Sequence, residues 1–163
     1  MHVYLFIIII IFVIPVKAQE KPPKPITVTV STAQHLSFGT FIQAGSSGTV
    51  TVSPQQLRSV TGTIILTNST VTPALFIVTA LPGTLITIQL APSSLHGSNG
   101  GTIALALDDS NPKSPFIVPG ANTTGGVNTE VDVFIGGTLT VGSLATNPAG
   151  AYSGTFQVTF IQQ

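Results

Sequence analysis

In Gly150-Ala-Tyr-Ser-Gly-Thr-Phe-Gln-Val-Thr-Phe-Ile-Gln-Gln163, apolar side chains return at every second position. Tyr152, Phe156, Val158 and Phe160 make one row, with Gly154 in the same register. Ser153, Thr155, Gln157 and Thr159 fill the other. A period of two is that of a β-strand with one buried and one wet face. We therefore expect one strand along this stretch, docked with Tyr152, Phe156, Val158 and Phe160 toward a core.

Upstream, the same pattern repeats in short segments. Ile26-Thr-Val-Thr-Val30 places Ile26, Val28 and Val30 on one side of a first strand. Leu36–Ile42 reads as a second, with Gly39 marking a bulge. A Gly/Ser turn at Ala44–Gly48 precedes Thr49–Val52. Thr61–Thr67 has a continuous apolar centre, Ile64-Ile-Leu66, the mark of a strand buried on both faces. Ala74–Ala80 and Thr84–Leu90 flank Leu81-Pro-Gly83, which predicts an antiparallel hairpin. Leu95–Gly101 reads as a loop, Thr102–Leu107 as a strand, Asp108–Pro112 as a turn and Phe116–Val118 as a brief strand. Val131–Ile135 and Thr138–Val141 flank Gly136-Gly137, either a hairpin turn or a bulge in one bent strand. No segment shows a helical period over a helix length. Nine or ten short strands with turns between them define an all-β domain, a sandwich or a small barrel.

Composition narrows the function. At 163 residues the chain holds one domain and an export segment. Residues 1–18 read as a signal peptide. The run Ile7–Ile11 sits in an apolar stretch shorter than the ~18 residues of a membrane span, and Val16-Lys-Ala18 offers the small residues a signal peptidase needs. Residues 19–25, QEKPPKP, form a proline-rich linker. Residues 26–163 are the β-domain, and membrane contact is expected only through the transient signal segment. There is no Cys, hence no disulfide framework and no lipoprotein anchor. Beyond the linker the only cations are Arg58 and Lys113, too few to bind nucleic acid through its phosphates. Ser59 to Leu107 and Val133 to Gln163 carry no charge, so the closing strand lacks the Lys or Pro that guards an exposed edge.

Four segments taken together resemble one bacterial family, domain of unknown function 4402. They are Leu36-Ser-Phe-Gly-Thr-Phe41, Gly48–Gly62 (GTVTVSPQQLRSVTG), Pro73–Gly83 (PALFIVTALPG) and Gly137–Thr159 (GTLTVGSLATNPAGAYSGTFQVT). That family is similar to chaperone–usher fibre subunits, including the spore-coat-U-like pilins. The resemblance implies an immunoglobulin-like antiparallel β-sandwich and a non-enzymatic role. The expected function is a structural subunit or surface-exposed module of a fimbria-like assembly in cell adhesion. The implied location is secreted, in the periplasm or at the cell surface of a Gram-negative bacterium. Implied partners are copies of itself or related subunits and a periplasmic chaperone, with no cofactor. The alternative is a free-standing secreted adhesive or glycan-binding module. Strand addition between subunits would use Ile26, Val28 and Val30 as donor and the edge at Tyr152, Phe156, Val158 and Phe160 as acceptor. The first strand pairs either within its own domain or with a neighbour. The chain departs from many pilins in lacking a Cys pair and in ending Phe160-Ile-Gln-Gln163.

Other candidate sites have plainer readings. Asp108-Asp-Ser-Asn111 offers clustered oxygens but lacks the spacing of a calcium loop, and it has turn composition. Glu130 and Asp132 share a strand face. His35 and His96 have no partners at metal-ligand spacing. No catalytic, cofactor or metal residue is expected.

Overall fold

The computed structural model describes residues 27–30, 34–120 and 127–163, and for Thr27–Val30 the backbone path alone. The signal segment, the linker, Ile26 and part of the Pro119–Gly126 loop lie outside the described residues. The described chain is all β and antiparallel, with no helix. In order the strands are β1 Thr27–Val30, β2 Phe41–Val52, β3 Arg58–Leu66, β4 Ala74–Ala80, β5 Leu85–Leu90, β6 Ser93–Gly97 and β7 Thr102–Ala106. There follow β8 Ser110–Asn111, β9 Phe116–Ile117, β10 Thr129–Ile135, β11 Gly137–Val141, β12 Tyr152–Ser153 and β13 Val158–Gln162.

They form three sheets, ordered β1-β4-β10-β8, β12-β6-β7-β11-β2-β3 and β13-β5-β9. The inward rows meet in one core, consistent with a β-sandwich. In β4, Ala74, Phe76, Val78 and Ala80 point in and alternate with half-buried neighbours. Val133 and Ile135 of β10 lie opposite Phe76 and Ala74. From the facing sheet, Phe160 packs on Phe76 with ring centroids 5.6 Å apart. Each such aliphatic side chain, fully buried, contributes roughly 1.5–3 kcal/mol.

Several expectations need correction, all for non-local reasons. The residues around Leu81-Pro-Gly83 do not make a hairpin. Gly83 takes φ 83° and Thr84 N–H donates to Leu81 O, but β4 joins one sheet and β5 another. A tight turn fixes a change of direction, not which neighbour the next strand finds. The Gly/Ser turn at Ala44–Gly48 is no break either. It is an irregularity inside β2, between the registers Gln43↔Ile64 and Gly48↔Gly62, and it joins Thr49–Val52 to the end of the expected Leu36–Ile42 strand, whose first five residues are irregular apart from the Ser37↔Thr72 bridge. The Ile64-Ile-Leu66 centre is not buried on both faces. Ile64 points in, while Ile65 is 54 % exposed because β3 is a sheet edge with an open outer face. Part of the expected Leu95–Gly101 loop is strand, β6, closed by a turn at Gly97–Gly100. At Gly136 the chain bends from β10 in one sheet to β11 in another, closer to a bent strand than to a hairpin. A Cβ there would lie 2.4 Å from Val52 O, so only glycine lets the crossing pass so close to β2.

The closing stretch is also not one strand. Tyr152–Ser153 pairs with β6, whereas Val158–Gln162 pairs with β5 in a different sheet. Gly154–Gln157 carries the chain between them, because its two flanking segments are each held by a different sheet. The alternation nevertheless survives the break. Tyr152, Phe156, Val158 and Phe160 are half-buried and packed against the core, while Ser153, Thr155, Gln157 and Thr159 are exposed.

Candidate functional site: an apolar groove

A groove of about 790 Å³ opens between two chain segments. Its floor is the inward face of β6, β7 and β11, carrying Leu95, Ile103, Leu105, Leu139 and Val141. One wall is Leu36–Gln43; the other is Asn147–Gly154, with Phe156 at its end. β7 and β11 alternate branched apolar residues with Thr or Ala, which places Ile103, Leu105, Leu139 and Val141 inward and the Thr and Ala side chains outward.

The first wall hangs on the segment before β4. Ser37 and Thr72 exchange backbone hydrogen bonds at 2.8 and 3.1 Å. Thr40 N–H donates to Ser69 Oγ at 2.8 Å. Phe38 is buried, while Leu36 and Phe41 remain half-buried beside the groove. The second wall is latched to the β6–β7 turn. Ser98 N–H donates to Ala151 O at 2.8 Å and Asn99 Nδ2 to Ala149 O at 2.7 Å, while within the wall itself Tyr152 OH donates to Pro148 O at 2.7 Å. Asn147, 5 % exposed, accepts from Gly142 N–H at 2.6 Å and donates to Thr102 O at 2.8 Å. Its buried amide is therefore satisfied at both ends, as burial requires.

Gln43 lies where the first wall meets the floor. Its Nε2 donates to Gly45 O at 2.6 Å and Gly142 O at 2.8 Å. Its Oε1 is buried and lacks a donor. Among the described residues no Asp, Glu, His, Lys or Arg lines the groove, and Tyr152 is its one ionisable side chain. The arrangement offers apolar contact and hydrogen bonds.

The sequence-derived strand-pairing residues are partly brought together here. Tyr152 and Phe156 line the groove. Val158 and Phe160 belong to β13, which has β5 on one side and no strand on the other among the described residues. Val28 and Val30 lie in β1, which pairs with β4 of the same chain, in the register Val28↔Val78 and Val30↔Phe76. Of the two alternatives for the first strand, this structure has the one within its own domain. The remaining candidates stay apart. Asp109 Oδ1 accepts from Ser110 N–H at 2.9 Å, which is turn chemistry. Glu130 and Asp132 are exposed on β10, opposite Thr79 and Ile77. His35 and His96 are exposed. No group of three His, Cys, Asp or Glu that could hold a metal occurs among the described residues.

Residues of the first wall, together with Arg58 and Asn147, were missed by sequence reasoning as groove-builders. Their partners are carbonyl oxygens far along the chain, and no spacing rule marks such acceptors.

An all-β antiparallel fold with an open apolar groove is the class these observations define. The chain belongs to the family described as Domain of unknown function (DUF4402), whose model matches residues 28–161. No curated protein and no solved structure matches it.

Proposed function

We propose that this protein is a non-enzymatic structural subunit, or surface-exposed module, of a bacterial cell-surface assembly. Its groove accepts an extended segment of alternating apolar residues from a related subunit. The observation that carries this reading is the groove itself, apolar in its floor and without acidic or basic side chains. A second feature supports it. The β13-β5-β9 sheet faces β1-β4-β10-β8 and, among the described residues, stops at β13, as an immunoglobulin-like sandwich short of one strand would. Strand addition then supplies main-chain hydrogen bonds at the β13 edge and apolar anchors in the groove. Secretion to the periplasm or cell surface, and a chaperone that covers the groove before assembly, belong to the same proposal. The alternative of a glycan-binding module finds less support, since sugar sites need convergent polar groups and this groove has few.

The test is the association state of the purified mature protein, starting at Gln19, with and without a synthetic extended peptide of alternating Val and Thr. The expected result is concentration-dependent chains that the peptide shortens by competing for the groove. A protein that stays monomeric at high concentration and binds no peptide would sink the reading.

A further inference from the structure

Arg58 is the unusual side chain of this molecule. It is one of two cations beyond the linker, yet it points at no carboxylate. Its Nη1 donates to Phe38 O and Thr40 O, each at 3.2 Å, and to Ser69 Oγ at 3.0 Å. Its Nη2 donates to Thr67 O at 2.5 Å. Three of these four acceptors are backbone carbonyls, and two of them belong to the groove wall Leu36–Gln43. The wall approaches so closely that a Cβ on Gly39, at φ +67°, would lie 2.4 Å from Ser69 Oγ and 2.8 Å from Arg58 Nη1. The wall's polar backbone is thus drawn outward to the guanidinium, while Leu36 and Phe41 stay beside the groove.

We infer that Arg58 is a positioning residue that holds the Leu36–Gln43 wall away from the groove floor, so that the groove stays open without an occupant. This rests on the reading of the groove as an acceptor. Two effects compete at this wall. Half-buried Leu36 and Phe41 gain by sinking onto the apolar floor, since burial removes apolar area from water. Sinking would strip the Phe38 and Thr40 carbonyls of charged donors, which are the stronger kind of hydrogen bond. A planar fork can serve several acceptors at once, which an ammonium serves less well. A site held open in advance binds more tightly because less ordering remains to be done.

The experiment compares the wild-type mature protein with Arg58→Met and Arg58→Lys. Three quantities are read: binding of the apolar dye bis-ANS, amide hydrogen exchange across residues 36–43, and thermal melting. Arg58→Met should melt cooperatively, bind the dye about tenfold more weakly through lost preorganisation, and exchange faster at Thr40 and Phe41. Arg58→Lys should fall between. A purely structural role would lower the melting temperature and leave dye affinity per folded molecule unchanged. Unchanged or stronger dye binding by folded Arg58→Met, with unchanged exchange, overturns the inference. If the wild-type protein binds no dye, the acceptor reading fails, and the exchange comparison still decides whether Arg58 holds the wall.

Discussion

Around Val78, Val133 and Ile86 the interior is sealed to 0 % exposure, whereas beside Leu36, Phe41, Tyr152 and Phe156 the same core ends in half-buried side chains along a groove. Composition does not separate the two regions, since both are lined by branched and aromatic residues. The difference is topological. On the sealed side β4 is flanked by β1 and β10, and the third sheet covers it. On the groove side the covering chain is two irregular segments, Leu36–Thr40 and Asn147–Ala151, which hydrogen-bond outward to side chains and turns. A covering layer tied outward keeps a cavity that a strand would have filled.

The comparison can be broken most directly at its sealed end. Ile86→Ala should cost roughly 2–5 kcal/mol, a large share of the ~5–15 kcal/mol that holds a domain. Urea denaturation measures it, and a loss below 1 kcal/mol on the order-of-magnitude scale of surface changes would mean that this side is not sealed in solution. Phe156→Ala, at the groove's end, should cost about half the ~3–5 kcal/mol of a fully buried ring, because Phe156 is half-buried and meets Phe76 edge-on with centroids 6.5 Å apart. Equal losses at Ile86 and Phe156 would show that the groove closes in water.

Thr155→Lys sharpens the contrast between folding and assembly. Thr155 is exposed, so its melting should shift by less than about 0.5 kcal/mol equivalent. Self-association should weaken more, since charge beside an open edge opposes strand addition. Normal assembly of both Thr155→Lys and Gln157→Lys would remove this edge from the assembly surface. Calcium should have the smallest effect. A ligand at a hundred times its dissociation constant would add about 2.7 kcal/mol, whereas we expect melting to be the same in chelator and in calcium. A clear upward shift would turn Asp108–Asn111 into a metal loop.

The sequence made the strand faces legible and left their partners hidden. The row Tyr152, Phe156, Val158, Phe160 was readable because alternation is a property of neighbouring residues, and it outlasts the break at Gly154–Gln157. Which sheet each half joins was not readable, because β6 and β5 compete for it from elsewhere in the chain. The turn at Leu81–Thr84 failed as a hairpin for the same reason, and at Gly136 only the structure chose the bent strand over the hairpin. Ile65 misled because an apolar run looks alike in a central strand and at an edge. The groove itself was half visible. Its aromatic rim was in the pattern, while its floor is made by strands that meet only in three dimensions. The role of Arg58 was not readable, since nothing local announces a bond to a carbonyl eighteen or twenty positions back.

The crossings at Leu81–Thr84 and Gly136 have a consequence in time. Each sends the chain over the sandwich instead of back along its last strand, so few of the pairings are between consecutive strands. Thr51 and Thr138, whose hydroxyls lie 2.8 Å apart, are 87 residues apart in sequence. Contacts of that kind are late, because the entropy of closing a long loop is spent before the pairing returns anything. Until β11 and β13 arrive, β2 and β5 lack these partners and have unpaired backbone groups and apolar rows in water. Refolding from urea should therefore be slow for a chain of this size, and its yield should fall as concentration rises and unfinished edges find one another.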